Sequence, residues 1–270
     1  MMYDEEVGRQ HYLNYIKNRK KTTYNKRIII SGLYIEEYTY EKSITAVKKK
    51  SHLKRDKKKK EQTEMNSGAL RRTRMNITRL VNSNPDFITF ATLTFDETKF
   101  LNPKDITGLE TCNPLFMLFI QRLRYKHPDI KYLVVPEFQS DYYYRTGIKK
   151  EFGGAVHYHL LLNKSISSSE LETIWKKQGF VKINKIKSIK NVGLYISAYL
   201  SKESFNKKYF GKKKFFYSKN LNKPQEFKGE ECDTIKAIYL PMHTKVYEKS
   251  FESDYLGKID FNLYKLNTEK

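Results

Sequence analysis

Two histidines, His157 and His159, stand one residue apart in the apolar run Val156-His157-Tyr158-His159-Leu160-Leu161-Leu162. On a β-strand, residues i and i+2 share a face, so both imidazoles project to one side and Tyr158 and Leu160 to the other. Two neutral imidazoles side by side make half of a metal site. The chain has 6 histidines in 270 residues, so a His-x-His pair is expected by chance only about 0.1 times; a pair of core or surface histidines is the competing explanation. A carboxylate lies inside the preceding apolar stretch, Tyr132-Leu133-Val134-Val135-Pro136-Glu137-Phe138. Glu137 is costly there without a partner. If the two stretches pair as a hairpin, Glu137 sits across from the histidines and completes a two-His, one-carboxylate site with positions left open for a substrate. Pro136 keeps a second reading open, in which Glu137 is a strand-end acid facing water.

A candidate nucleophile follows in Tyr195-Ile196-Ser197-Ala198-Tyr199-Leu200-Ser201-Lys202. In a helix, positions i, i+4 and i+7 align, so Tyr195, Tyr199 and Lys202 form one stripe while Leu194, Ala198 and Leu200 pack elsewhere. A phenol with a pKa near 10 is a weak nucleophile and needs either deprotonation or a receptive electrophile. With 21 tyrosines in the chain, a Tyr-x-x-x-Tyr pair arises by chance about 1.6 times, and Tyr34 and Tyr38 form another. The spacing is therefore informative only together with the histidines; alone, Tyr195 reads equally as a core residue. Between Glu137 and His157 the long connection Ser140 to Gly154 carries Tyr142-Tyr143-Tyr144-Arg145, aromatics beside an arginine that suit base stacking or belong to a structured loop.

These residues need a scaffold, and the hydrophobic pattern supplies one. Arg27 to Tyr38 reads as a hairpin around Ser31-Gly32. Leu70, Ile77, Leu80 and Val81 recur at helical spacing between Arg71, Arg72, Arg74 and Arg79, predicting a basic amphipathic helix from Ser67 to about Asn84-Pro85. Strands are predicted over Phe87–Phe95, Lys131–Gln139, Ala155–Leu162 and Val181–Ile186, and helices over Leu115–Tyr125, from the capping box Ser167-x-x-Glu170 to Gly179, and over Leu194–Lys202. The tail from Ile235 to Leu266 alternates apolar and polar residues and should add strands. Strands and helices mix without a strict βαβ period, so the expected class is α+β, with a mostly antiparallel central sheet and flanking helices. Three regions are expected: an N-terminal hairpin and Lys-rich arm (1–66), a central domain (67–225), and a C-terminal strand extension packed on that same domain (226–270).

Charge narrows the partner. Lys and Arg number 52 against 30 Asp and Glu, a formal charge of +22, which attracts polyanions such as nucleic acid, an anionic membrane surface or an acidic protein. Residues 48–61 alone carry nine basic and two acidic side chains, a solvated arm or loop. The polar face bearing Arg71, Arg72, Arg74 and Arg79 reads as a phosphate rail. No apolar run approaches the roughly 18 residues that span a bilayer, and Met1 to Gly8 is acidic and polar, so the expectation is a soluble, unexported chain without a membrane role. Cys112 and Cys232 lack the spacing of a disulfide framework or thiolate zinc site, and no GxxxxGK[ST] loop is present.

Taken in order, Thr92-Leu93-Thr94, then Glu137 with His157-Tyr158-His159, then Tyr195-x-x-x-Tyr199-x-x-Lys202 resemble the three motifs of HUH endonucleases, specifically the rolling-circle replication initiators of phages and plasmids. Gly211 to Leu221, with Lys212, Lys213 and Lys214, resembles a basic segment that follows the tyrosine helix in such initiators. The resemblance covers residues 67–225, and the long insertion between Glu137 and the histidines departs from it. It implies metal-dependent nicking and joining of single-stranded DNA at a replication origin through a 5′-phosphotyrosine. It implies a divalent ion, Mg²⁺ or Mn²⁺, on His157, His159 and Glu137; Tyr199 as first nucleophile; Tyr195 as a second; and Lys202 as a phosphate or transition-state partner. It further implies nucleic-acid contacts from Arg71, Arg72, Arg74, Arg79 and Lys212 to Lys214, a host helicase and polymerase acting in trans, and the cytoplasm of a bacterial cell. On these residues Thr92 and Thr94 are either ordinary strand composition or direct DNA contacts. A relaxase or transposase with the same chemistry is a related reading, and a non-catalytic basic nucleic-acid-binding protein is a reading from another class.

Overall fold

The computed structural model describes residues 23–45, 67–176, 178–186, 191–200, 209 and 212–267. Its class is α+β: two antiparallel five-stranded sheets and, among the described residues, five α-helices. Residues before 58 and after 223 make one compact unit and the residues between make the other. The Lys-rich segment 48–61 lies outside the described residues.

The chain enters the first unit with β1 (Thr23–Ser31) and β2 (Tyr34–Thr45), the antiparallel hairpin its β-branched and aromatic residues predict. The central unit then opens with α1 (Ser67–Asn82), whose Leu70, Ile77, Leu80 and Val81 are buried while Arg71 and Arg72 are exposed. β3 (Thr89–Phe95) leads to α2 (Leu109–Lys126). This helix begins six residues before the predicted start and runs through Pro114. Pro114 is exposed, so the carbonyl that loses its amide partner faces water, which lowers the cost of an internal proline. β4 (Tyr132–Phe138) and β5 (Val156–Leu162) follow, then α3 (Ser168–Trp175) and β6 (Gly179–Lys185). Ser167 caps α3 by accepting from the Glu170 amide, as the capping box predicts, but the helix stops at Lys176 in the left-handed region rather than at Gly179. Gly179 is already paired with Phe95, and a Cβ there would fall 1.9 Å from the Thr94 carbonyl oxygen, so its role is close approach of two strands. α4 (Val192–Ala198) and the short β7 (Phe216–Tyr217) complete this unit.

Its sheet runs β6-β3-β5-β4-β7. One face is dry and aromatic: Tyr158 stacks on Phe116 of α2 at 4.1 Å, and Phe95 and Phe119 flank Trp175 of α3 at 4.9 and 5.6 Å. On the other face lie α1 and α4, which pack on each other.

The first unit is finished by β8 (Gln225–Lys228), α5 (Glu231–Tyr239), β9 (His243–Ser253) and β10 (Gly257–Leu266) in the order β8-β1-β2-β10-β9. Two expectations change here. Residues 231–239 are helical, because buried Cys232 and Ile235 with Tyr239 recur at helical spacing and pack on Ile28, Ile35 and Phe227. The C-terminal strands pair with the N-terminal hairpin, β10 on β2, with Phe261 opposite Tyr38 at 4.9 Å between rings; they are not an extension of the central sheet. Cys112 and Cys232 are both buried and free. No described helix is long and apolar enough to cross a membrane.

Candidate active site

β4 and β5 pair as an antiparallel hairpin in the register Glu137↔His157 and Val135↔His159. β3 lies on the other side of β5, with Thr92 opposite His159 and Thr94 opposite His157. Alternation therefore brings Phe90, Thr92, Thr94, Glu137, His157 and His159 to one face, the face that also receives α4. Glu137, His157 and His159 each offer a ligand atom, and these atoms lie within 4.8 Å of one another. The Glu137 carboxylate is 2.8 Å from His159 Nε2, and Thr92 Oγ1 is 3.1 Å from His159 Nδ1. The His159 ring is thus held at both nitrogens, and since a threonine hydroxyl donates or accepts equally well, Thr92 suits either tautomer. His157 differs. Its Nε2 is buried without a hydrogen-bond partner, a state that costs about 1–3 kcal/mol. Its pKa falls from the usual 6.5 to about 4, through burial first and then the charge of His159, with Glu137 opposing and Lys150 adding to the fall. A neutral, buried and unpartnered imidazole beside a second imidazole and a carboxylate fits a metal ion.

α4 brings the tyrosines to this face. Asn191 caps it by accepting from the Leu194 amide at 2.9 Å. Gly193 lets α4 approach α1 closely, since a Cβ there would lie 2.9 Å from Thr78 Cα. One turn before Thr78, Arg74 donates through Nε and a terminal nitrogen to the Leu200 carbonyl. The helix is shorter than Leu194–Lys202 predicts, and Tyr199 is its C-cap; Lys202 lies outside the described residues. The Tyr199 ring stacks on His159 with centroids 3.5 Å apart and planes 17° apart. Phe90 supports both rings, 5.9 Å from His159 and 6.0 Å from Tyr199. Tyr199 donates its hydroxyl hydrogen to Tyr195 Oη at 2.8 Å, and Tyr195 is 39% exposed. Burial, then this hydrogen bond and the nearby charges hold the Tyr199 phenol well above its ordinary pKa, so at neutral pH it carries its proton.

The basic residues named from sequence divide into groups. Arg71 and Arg72 stand on the exposed side of α1, Arg79 is half-buried, and Arg74 is engaged with Leu200. Lys212 pairs with Glu110 at 2.8 Å, and Lys214 donates to the Tyr209 carbonyl. Lys212, Lys213 and Lys214 nevertheless line one cleft of about 1210 Å³ together with Arg124, Lys219 and Lys223. Phe90 and Thr92 are contributors whose site contacts sequence reasoning missed. Both follow from period-2 alternation away from Thr94, but a strand reading of Phe, Thr and Leu does not say which face carries chemistry.

Residues 88–204 match the model of a replication-associated protein family, that of the ORF2 type. The matched stretch is Rep-like. It contains Glu137, His157, His159, Tyr195 and Tyr199 and supports a role in replication. No curated protein and no solved structure matches the chain.

Proposed function

We propose that this chain initiates rolling-circle replication by metal-dependent, site-specific nicking and joining of single-stranded origin DNA in the cytoplasm of a bacterial cell. The observation that carries the reading is the stacking of Tyr199 on His159 within the Rep-like stretch, beside a carboxylate and two imidazoles whose donor atoms converge. A purely structural His pair is disfavoured by the buried, unpartnered Nε2 of His157, because structural histidines satisfy both nitrogens.

His157, His159 and Glu137 would hold Mg²⁺ or Mn²⁺, which when bound polarises the scissile phosphate and orients it for in-line attack. Thr92 fixes the His159 ring from behind, a support that ligating histidines ordinarily have. Tyr199 Oη forms the bond to phosphorus while the bond from phosphorus to the 3′ oxygen breaks. That oxygen takes up a proton and leaves as a free 3′-hydroxyl, and the 5′ side stays on the enzyme as a phosphotyrosine. The phenolic proton passes towards Tyr195, its hydrogen-bond acceptor, whose exposed hydroxyl releases one to water. Because the resting phenol is protonated, attack is confined to a phosphate made receptive in the site. The energy of the phosphodiester is kept in the phosphotyrosine, so reversal by a 3′-hydroxyl rejoins the strand without a nucleotide cofactor. Tyr195 is placed to take a second transfer, and Lys202, by its motif position, to contact the phosphate. Arg71, Arg72, Arg79 and the Lys212–Lys214 cleft supply sequence-independent phosphate contacts, and a helicase and polymerase of the host act on the exposed 3′ end.

Incubation with a library of single-stranded oligonucleotides and Mn²⁺, followed by mass analysis of the adduct, tests this reading. A covalent adduct on Tyr199 is expected; absence of any cleaved strand would sink it.

A further inference from the structure

The insertion between β4 and β5 is a built arm rather than a slack loop. Gln139 donates to the Ala155 carbonyl at its base, Tyr142 and Lys149 form an antiparallel bridge, and Tyr143 and Lys150 donate to Ile148 and Asp141 carbonyls at 2.8 and 2.7 Å. Asp141 turns inward and accepts from the Gly154 amide at 2.7 Å. A Cβ on Gly154 would fall 1.8 Å from the Gln139 carbonyl oxygen, so the two legs are pressed together where the arm leaves the sheet. That point is next to Glu137 and His157, which pair at the same end of the hairpin.

An arm so well bonded holds an unusual surface. Tyr142 and Tyr143 are 53% and 50% exposed and Tyr144 is fully exposed, with Ile148 at 63%. Arg145 and Lys149 are exposed among them, and Lys150 lies over the Tyr143 ring at 5.4 Å. Lys150 is also near enough to His157 for its charge to act there. With Asp141 turned inward, Glu151 is the arm's acid that faces water. Adjacent exposed aromatic rings with cations between them suit unpaired bases and their phosphates, whereas a duplex hides the base faces that the rings would need.

We propose that the Ser140–Gly154 arm is a binding platform for single-stranded DNA, in which Tyr142, Tyr143 and Tyr144 stack on bases flanking the cut while Arg145 and Lys149 take phosphates, so that the arm sets which phosphate reaches Glu137 and His157. This rests on the reading of the chain as a DNA-nicking protein, but its test reads binding alone. Fluorescence anisotropy of the full chain in EDTA compares labelled dT20 with a 20-base-pair duplex. The Tyr142→Ala/Tyr143→Ala/Tyr144→Ala variant should bind dT20 at least about tenfold more weakly and the duplex as the wild type does. Arg145→Gln/Lys149→Gln should flatten the salt dependence of dT20 binding by about 1.4 in slope, two single-strand contacts, and as two exposed substitutions it leaves folding intact. Unchanged dT20 affinity in the first variant with unchanged slope in the second overturns the platform, as does equal loss on dT20 and duplex. A wild-type chain that fails to bind dT20 at low salt would instead refute the DNA-nicking reading itself.

Discussion

Neighbouring residues of one strand, β5, face two different environments. Tyr158 enters a dry aromatic layer, stacked on Phe116 and bonded to Asn113 Oδ1 at 2.8 Å. His157 and His159, one residue to either side, enter a layer of Thr92, Glu137, Tyr195 and Tyr199. Burial is nearly as deep on the second face, since His159 is 4% exposed, so depth alone does not separate them. What separates them is satisfaction. On the aromatic face the buried Tyr158 hydroxyl has its partner; on the polar face the His157 Nε2 has none, and the Tyr199 proton is shared outward to Tyr195. A strand whose side chains alternate thus keeps stability on one side and unfinished coordination on the other.

That contrast can be broken from either side. The largest effect belongs to Tyr199→Phe, which removes a single oxygen: covalent adduct on a cleavable oligonucleotide should fall to background with no change in thermal midpoint, and wild-type adduct levels would reassign the nucleophile. His159→Ala should likewise abolish Mn²⁺-dependent cleavage. From the other face, Tyr158→Ala should destabilise the chain by about 3–5 kcal/mol, as large aromatic truncations do, while the folded fraction binds Mn²⁺ with unaltered affinity; calorimetry of unfolding and of metal binding separates the two. Thr92→Val should weaken Mn²⁺ binding by about tenfold, in the range for partners of metal-ligating histidines, with little change in folding. The smallest effect is on pH dependence. The folded pKa of His157, about 4, lies below the usual 6.5, so the unfolded chain takes up a proton that the folded chain refuses. Its contribution is complete above about pH 6.5 and is lost as the pH falls towards 4. Urea unfolding of the metal-free chain should show that loss, and His157→Gln should flatten it.

Much of the polar face was legible because it is written in short-range periodicity. His157 and His159 share a face through spacing alone, and Glu137 joins them through the register of an adjacent hairpin. The tyrosine stripe was legible for the same reason, although Tyr199 proves to be a cap. What escaped was long-range choice. Arg74 reads as one more cation on a basic helix, and only folding brings it to the Leu200 carbonyl, 126 residues away in sequence. The C-terminal strands carry a clear alternation, but alternation does not name a partner, and their edge is claimed by β2. The helix over 231–239 was hidden because Ile235 to Tyr239 is too short a window to distinguish the two periods.

The pairing of β10 with β2 joins strands more than two hundred residues apart, with a separate compact unit in between. During synthesis, the hairpin of β1 and β2 waits on the ribosome until that whole intervening unit has been made before its open edge is covered. Translation that stops after the central unit would release a polypeptide bearing every candidate catalytic residue and an unpaired strand edge of the kind that seeds aggregation. The quality of this protein inside a cell is therefore decided by β9 and β10, which take no part in the chemistry.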